Sequence, residues 1–150
     1  MDRIDKRLLN LLQDDASRTN AELADLVGLS PSSCLRRIRR LKDAGIIDRV
    51  VALLSPAKAG RGLKAIVTIE LERHGEQYMR AFLDLAAREP AVLQAYSVSG
   101  ETDAILMLRL ADMDEYDAFC ERLFADRSNV ARYYTMFVIR TAKETTAIPQ

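Results

Sequence analysis

The sequence predicts an α+β chain in two parts. Three amphipathic helices in a helix-turn-helix layout come first, and a βαββαβ segment follows. Two observations carry this. The run from Glu22 to Ile47, ELADLVGLSPSSCLRRIRRLKDAGII, holds two short helical patterns separated by Gly28 and a Ser-Pro start. From Leu63 to Thr141, apolar alternation and helical spacing succeed one another as strand, helix, strand, strand, helix, strand.

Each element has its own signal. Ile4, Leu8, Leu11 and Leu12 make one stripe on a helix from about Asp2 to Asp14. Asn20 is the expected cap of a second helix that turns Leu23, Ala24 and Val27 inward. Gly28 suits the residue after that helix, where positive φ costs it little. Ser30 is a strong N-cap and Pro31 fits the first helical position, so the third helix runs from Pro31 to about Ala44 and ends at Gly45. Ile46 to Leu54 is rich in Ile, Val and Leu and is expected to be extended, as a wing or a hinge strand. Ser55 to Gly62, SPAKAGRG, reads as a linker. These boundaries give domains of residues 1–54 and 63–150 joined by residues 55–62.

In the second part, strands are expected at Leu63–Leu71, Val92–Ser99, Asp103–Leu110 and Val130–Thr141. A helix from Glu76 to Arg88 carries Phe82, Leu83, Leu85 and Ala86 on its apolar face. Another, capped by Asp112 or Asp114, carries Tyr116, Phe119, Leu123 and Phe124. Ala104, Leu106, Leu108 and Leu110 alternate as one face of a strand, yet Ile105 and Met107 opposite are apolar too. The last strand repeats this with Phe137 and Ile139 opposite Met136 and Val138. Two helices cover one face of a four-stranded antiparallel sheet. The other apolar face predicts a homodimer through a second copy of the sheet; cover by the first fifty residues is the alternative.

Composition bounds the function. The chain has 150 residues, 49% hydrophobic and 29% charged, the balance of a folded protein rather than a disordered one. Basic and acidic residues number 22 each, which excludes a general polycation and permits a patterned surface. No apolar run approaches the roughly 20 residues that span a bilayer. MDRIDKRLL has charges where a signal peptide needs its apolar segment, so a cytoplasmic location is expected. Cys34 and Cys120 are expected to be small buried hydrophobes. The single histidine, His74, lacks the partners of a zinc site, and no metal or cofactor is expected.

The charge is local. Residues 1–50 carry ten basic and eight acidic groups, but no acidic residue occurs from Pro31 through Lys42. Around a helix centred on Ile38, Cys34, Leu35, Leu41 and Lys42 fall within about 60° of the buried direction. Arg36 and Arg40 point almost directly away, with Ser32, Ser33, Arg37 and Arg39 on the flanks. A guanidinium binds a guanine edge or a phosphate bidentately. Serines at a helix N-terminus donate to phosphates beside the helix dipole. With Asn20 and Ser30 at the starts of their helices, these residues form the candidate contact set for double-stranded DNA.

The chain resembles the Lrp/AsnC (feast/famine) family of transcription regulators. The segments that carry the likeness are MDRIDKRLLNLLQDDAS, NAELADLVGLSPSSCLRRIRRLKDAGII, the linker beginning Leu54-Ser55-Pro56, VSGETDAILMLRL and VIRTAKETTAIP. The resemblance implies an N-terminal winged helix-turn-helix followed by a βαββαβ ferredoxin-like effector-binding and oligomerisation domain. It implies dimers that assemble to tetramers or octamers, and an amino-acid effector held between dimers. The family's G-x-x-D pocket motif corresponds here to Gly100-Glu101-Thr102-Asp103, and with Ser99 these residues are the candidate effector site. Gly100 permits positive φ and close approach of N–H groups to a carboxylate. Asp103 can accept from an α-ammonium group. Glu101 and Ala104 stand where the family often has an aromatic residue, as Val50 does in the hinge strand. The reading is a nucleoid-associated regulator whose assembly and DNA affinity respond to a small effector, with an effector-independent chromosome-organising protein as the alternative. An enzyme is not expected, because no convergent base or nucleophile is visible.

Overall fold

The structure, a computed structural model, describes residues 1–125 and 129–150. It comprises two compact units, Met1–Leu53 with Lys143–Gln150, and Leu54–Ala142. The C-terminal segment therefore groups with the first unit rather than with the sheet that precedes it. The Gln13 amide explains this: its Nε2 donates to the Ile148 carbonyl at 2.9 Å, and the Ile148 N–H donates to its Oε1 at 2.7 Å.

The first unit is built from α1 (Arg3–Asp14), α2 (Asn20–Val27) and α3 (Pro31–Asp43). Asp2 caps α1 and exchanges hydrogen bonds with Asp5, so two orphan amides at the helix start are satisfied. Thr19, not Asn20, caps α2. Its hydroxyl accepts from the Glu22 N–H while Glu22 reaches back to the Thr19 N–H at 2.7 Å. Asn20 is the first helical residue instead, because Glu22 stands three places after Thr19, the spacing a capping box requires. Gly28 ends α2 at φ +71°, a left-handed conformation that glycine adopts without a Cβ clash. Ser30 caps α3 as expected, accepting from the Ser33 N–H at 3.3 Å.

Leu8, Leu23, Ala24, Val27, Cys34 and Ile38 form the core of this bundle. Burial of such a side chain stabilises by roughly 1.5–3 kcal/mol, so these few residues hold the turn between α2 and α3 in place. Lys42, placed near the buried side by helical angle, is exposed; its long stem carries the ammonium out to water. The expected strand at Ile46–Leu54 does not form. An extended segment becomes a strand only when paired with another; the Ile46 and Ile47 N–H groups donate back to the Leu41 carbonyl, and no strand partner is recorded for the segment among the described residues. Val50, Val51, Leu53 and Leu54 are left exposed.

Residues 55–62 are not an open linker. The Ala59 N–H donates to Ser55 at 2.9 Å and the Arg61 N–H to Pro56 at 2.7 Å, which closes the segment into consecutive turns. Arg61 also pairs with Glu115 in the same unit.

The second unit runs β1 (Leu63–Leu71), α4 (Glu76–Ala86), β2 (Val92–Ser97), β3 (Ala104–Leu110), α5 (Met113–Leu123) and β4 (Val130–Phe137). The strands form an antiparallel sheet in the order β2-β3-β1-β4. Asp112 caps α5, accepting from the Glu115 N–H at 2.9 Å. β4 stops short of Thr141. The Val138 N–H still reaches the Lys64 carbonyl, but β1 begins at Leu63 and offers nothing further to pair with. β2 stops at Ser97 and α4 at Ala86, each two residues early.

Val67, Ile69, Leu106, Leu108 and Phe119 centre the core between the sheet and the helices. Leu85 does not join it. The sheet takes Phe82 and Ala86 from α4, and Leu85 is 52% exposed at the rim of a groove beside Arg122 and Leu123. Cys34 is buried, whereas Cys120 is only half-buried. The register places Ile66 opposite both Met107 and Met136, on the face away from the helices. Thr68, Ile105, Tyr96 and Tyr134 share that face. Tyr96, Tyr134 and Met136 are about half exposed, at 48%, 54% and 51%.

Candidate nucleic-acid interface

The Ser-Pro start, the Gly28 turn and the buried Cys34–Ile38–Leu41 stripe together present the outer surface of α3. Ser32, Arg36 and Arg39 on that surface are exposed. No ion pair of Arg36 or Arg39 is recorded among the described residues. The hydroxyls at the N-terminus of α3 bond to one another, Ser30 to Ser33 at 3.0 Å and Ser30 to Ser32 at 3.2 Å. Asn20 is exposed at the first position of α2.

Arg37 and Arg40 are arranged differently. The Arg37 Nη1 donates to Asp2 Oδ2 at 2.7 Å and to Asp5 Oδ1 at 2.8 Å. The Arg40 Nη2 donates to Asp5 Oδ2 at 2.7 Å. Asp5 is 1% exposed, a carboxylate inside the protein held by two guanidinium groups and the Asp2 N–H. Burial pushes its pKa up most strongly of any single influence. The Asp2 amide, the Arg37 hydrogen bond and the Arg40 charge together outweigh that, and the pKa ends below the ordinary carboxylate value. The Asp5 amide and the Arg37 guanidinium lower the Asp2 pKa to about 2. These hydrogen bonds with Asp2 and Asp5 raise the Arg37 pKa in turn. So of the four arginines on α3, two are free and two face α1.

Sequence reasoning did not find Asp2 and Asp5. Their spacing signals a helix cap, but nothing in the order of residues links them to arginines more than thirty positions away.

The turn from Ser99 to Asp103 lies where β3 meets the end of β1. Gly100 sits at φ +133°, a conformation that excludes most side chains. Ser99, Gly100 and Glu101 are exposed, while Thr102 and Asp103 are half-buried. Thr102 Oγ1 donates to the Ile69 carbonyl at 2.7 Å, as does the Asp103 N–H at 2.9 Å. Asp103 Oδ2 accepts from the Leu71 N–H at 2.7 Å. Its other oxygen, Oδ1, lies 3.7 Å from His74 Nδ1. Asp103 thus already bridges two strands, with one carboxylate oxygen directed elsewhere.

Comparison with known proteins agrees with both halves. Residues 1–48 match the winged helix-turn-helix DNA-binding family, and residues 64–148 match the Lrp/AsnC ligand binding domain. The chain is 36% identical to the DNA-binding transcriptional activator DecR of Escherichia coli, over 99% of this chain and 98% of that one. It is 35% identical to the glutamate uptake regulatory protein of Zymomonas mobilis, over 99% of this chain and 90% of that one. A solved AsnC family regulator from Agrobacterium tumefaciens superposes with a TM-score of 0.93 at 34% identity, covering 99% and 97% of the two chains. A regulator from Neisseria meningitidis, solved as a complex with L-Met, gives 0.92 at 34% identity and covers 99% and 96%.

Proposed function

The chain belongs to the Lrp/AsnC family of DNA-binding transcriptional regulators, which are not enzymes, and from that premise we propose that α3 is its recognition helix and that an amino acid tunes its assembly on DNA. The single observation that carries the first claim is the exposed Arg36 and Arg39 on a helix held by the Gly28 turn. In a major groove these two groups can reach base edges or phosphates, with Ser30 and Ser32 beside the groove's backbone and Asn20 at the crossing helix.

The effector reading rests on the Ser99–Asp103 turn. Gly100 brings backbone N–H groups within reach of a carboxylate. An α-ammonium can bind Asp103 through Oδ1, the oxygen that the Leu71 N–H does not use. The Neisseria relative bound to L-Met supports an amino acid as the ligand class.

The assembly is inferred from the sheet face away from α4 and α5. Ile66, Ile105, Met107, Tyr134 and Met136 present an apolar surface that a second copy would bury. A dimer presents two copies of α3 to half-sites about one helical turn apart, or a multiple of it. Dimers then associate to tetramers or octamers in the cytoplasm, at the nucleoid. An effector acts by binding one assembly more tightly than another. Light scattering with and without each of the twenty amino acids, followed by DNA binding under the same conditions, tests this reading. A change in mass and in affinity with the same amino acid is expected. DNA binding that ignores all twenty would favour an effector-independent chromosome-organising role.

A further inference from the structure

We propose that Asp5 is a positioning residue for DNA binding: it holds Arg37 and Arg40 against α1, so that only the Ser32–Arg36–Arg39 flank of α3 docks on DNA. The inference rests on α3 being the recognition helix.

Taking Ile38 as zero, Arg39, Ser32 and Arg36 lie at about 100°, 120° and 160° around the helix, and Arg37 and Arg40 at about −100° and −160°. Charge alone would make the docking surface symmetric about the direction opposite Ile38. The carboxylates break that symmetry. Asp5 Oδ1 and Oδ2 each accept from a different arginine, and Asp2 adds a second acceptor for Arg37. An arginine that left for a phosphate would take one of two guanidinium partners from a carboxylate that is 1% exposed, and weakening the pairing of a buried charge is unfavourable. Arg37, with two carboxylate partners and a side chain 24% exposed, is held more tightly than Arg40, at 62%. The carboxylates also repel phosphates from that flank. The docking face is therefore turned toward Arg36 and Arg39, and the charges available to any DNA sequence are fewer than the sequence count suggests.

Counterion release reads the number of phosphates neutralised, with a slope of log affinity against log salt of about −0.9 per phosphate. In the full-length protein, Asp5→Asn keeps the side-chain volume and an oxygen for the Asp2 N–H but removes the charge. On a non-cognate duplex its slope is expected to steepen by up to ~1.8 per bound chain, from two released arginines. Its preference for a cognate duplex should fall several-fold, because the released charges read no sequence. Asp2→Asn retains a strong N-cap and loosens Arg37 alone. It is expected to steepen the slope by less than ~0.9. A purely structural Asp5 would instead weaken binding to both duplexes with an unchanged or shallower slope. That result, in a protein that still melts cooperatively, overturns the proposal and leaves the recognition helix intact. If Asp5→Asn does not fold, Asp2→Asn decides: a steeper slope supports the proposal and an unchanged one overturns it. A wild-type protein whose DNA binding shows no salt dependence would overturn the recognition-helix reading itself, and this inference with it.

Discussion

Asp103 holds the Leu71 N–H and is also the proposed contact for an effector's ammonium group, and two substitutions separate the two roles. Asp103→Ala removes the acceptor for the Leu71 N–H, a 2.7 Å bond at a residue only 4% exposed. A hydrogen bond to a charged group contributes roughly 1.5–3 kcal/mol, and an orphaned buried donor costs about 1–3 kcal/mol. The bond lies on a half-buried side chain, so the lower part of that range applies, about 2 kcal/mol. For a unit of this size, 1 kcal/mol moves the melting point by about 4–8 °C, so a fall on the order of 10 °C is expected. Asp103→Asn keeps an oxygen for the Leu71 N–H and loses only the charge. It should retain most of the stability yet lose amino-acid binding, since an α-ammonium then meets a neutral amide. Thermal melting and calorimetry against the effector make the comparison. Equal melting points for the alanine variant and the wild type would refute the bridging role. Undiminished effector heat in the asparagine variant would refute the ammonium contact.

Three further outcomes follow from the structure. Thr19→Ala removes one half of the α2 capping box and should cost about 1 kcal/mol of stability by denaturant titration, whereas Asn20→Ala should cost much less. The carboxyls of Asp2 and Asp5 have depressed pKa values when folded, so the stability they contribute is fully present above their unfolded value near 3.8. The Asp2 share is lost as pH falls toward about 2, and a circular dichroism acid titration should show Asp2→Asn with a shallower loss across that window. Met107→Glu places a charge on the sheet face away from the helices; sedimentation should shift toward monomer while the secondary structure is retained.

Much of the fold is legible in the sequence because its determinants are local. The Gly28 turn, the Ser30-Pro31 start and the Asp112 cap each follow from residues within a few positions of one another. Strand alternation likewise identifies Leu63–Leu71 and the β3 core face, since period-two burial is a property of one strand. What the sequence hides depends on distant partners. Ile46–Leu54 has the composition of a strand, but strands are made by pairing. β4 ends where β1 runs out, which no residue in β4 announces. Helical angle places Leu85 and Lys42 inside, but packing decides which flank of a helix the neighbours cover. The arginine face was legible as a cluster of positive charge. Its division into a free and a held flank was not, because Asp5 lies far off in sequence and meets the helix only through folding. The bond from the Leu71 N–H to Asp103 was hidden for the same reason.

The central claim is that α3 carries DNA binding through Arg36 and Arg39. Replacing both with alanine leaves the α3 core residues Cys34, Ile38 and Leu41 untouched, so the fold should be retained. A gel shift on a bound duplex, with wild type and variant at equal concentration and salt, measures the claim directly. The account predicts that the wild type retards the duplex and the Arg36→Ala/Arg39→Ala protein does not, with unchanged mass in solution. Full retardation by the doubly substituted protein would contradict it.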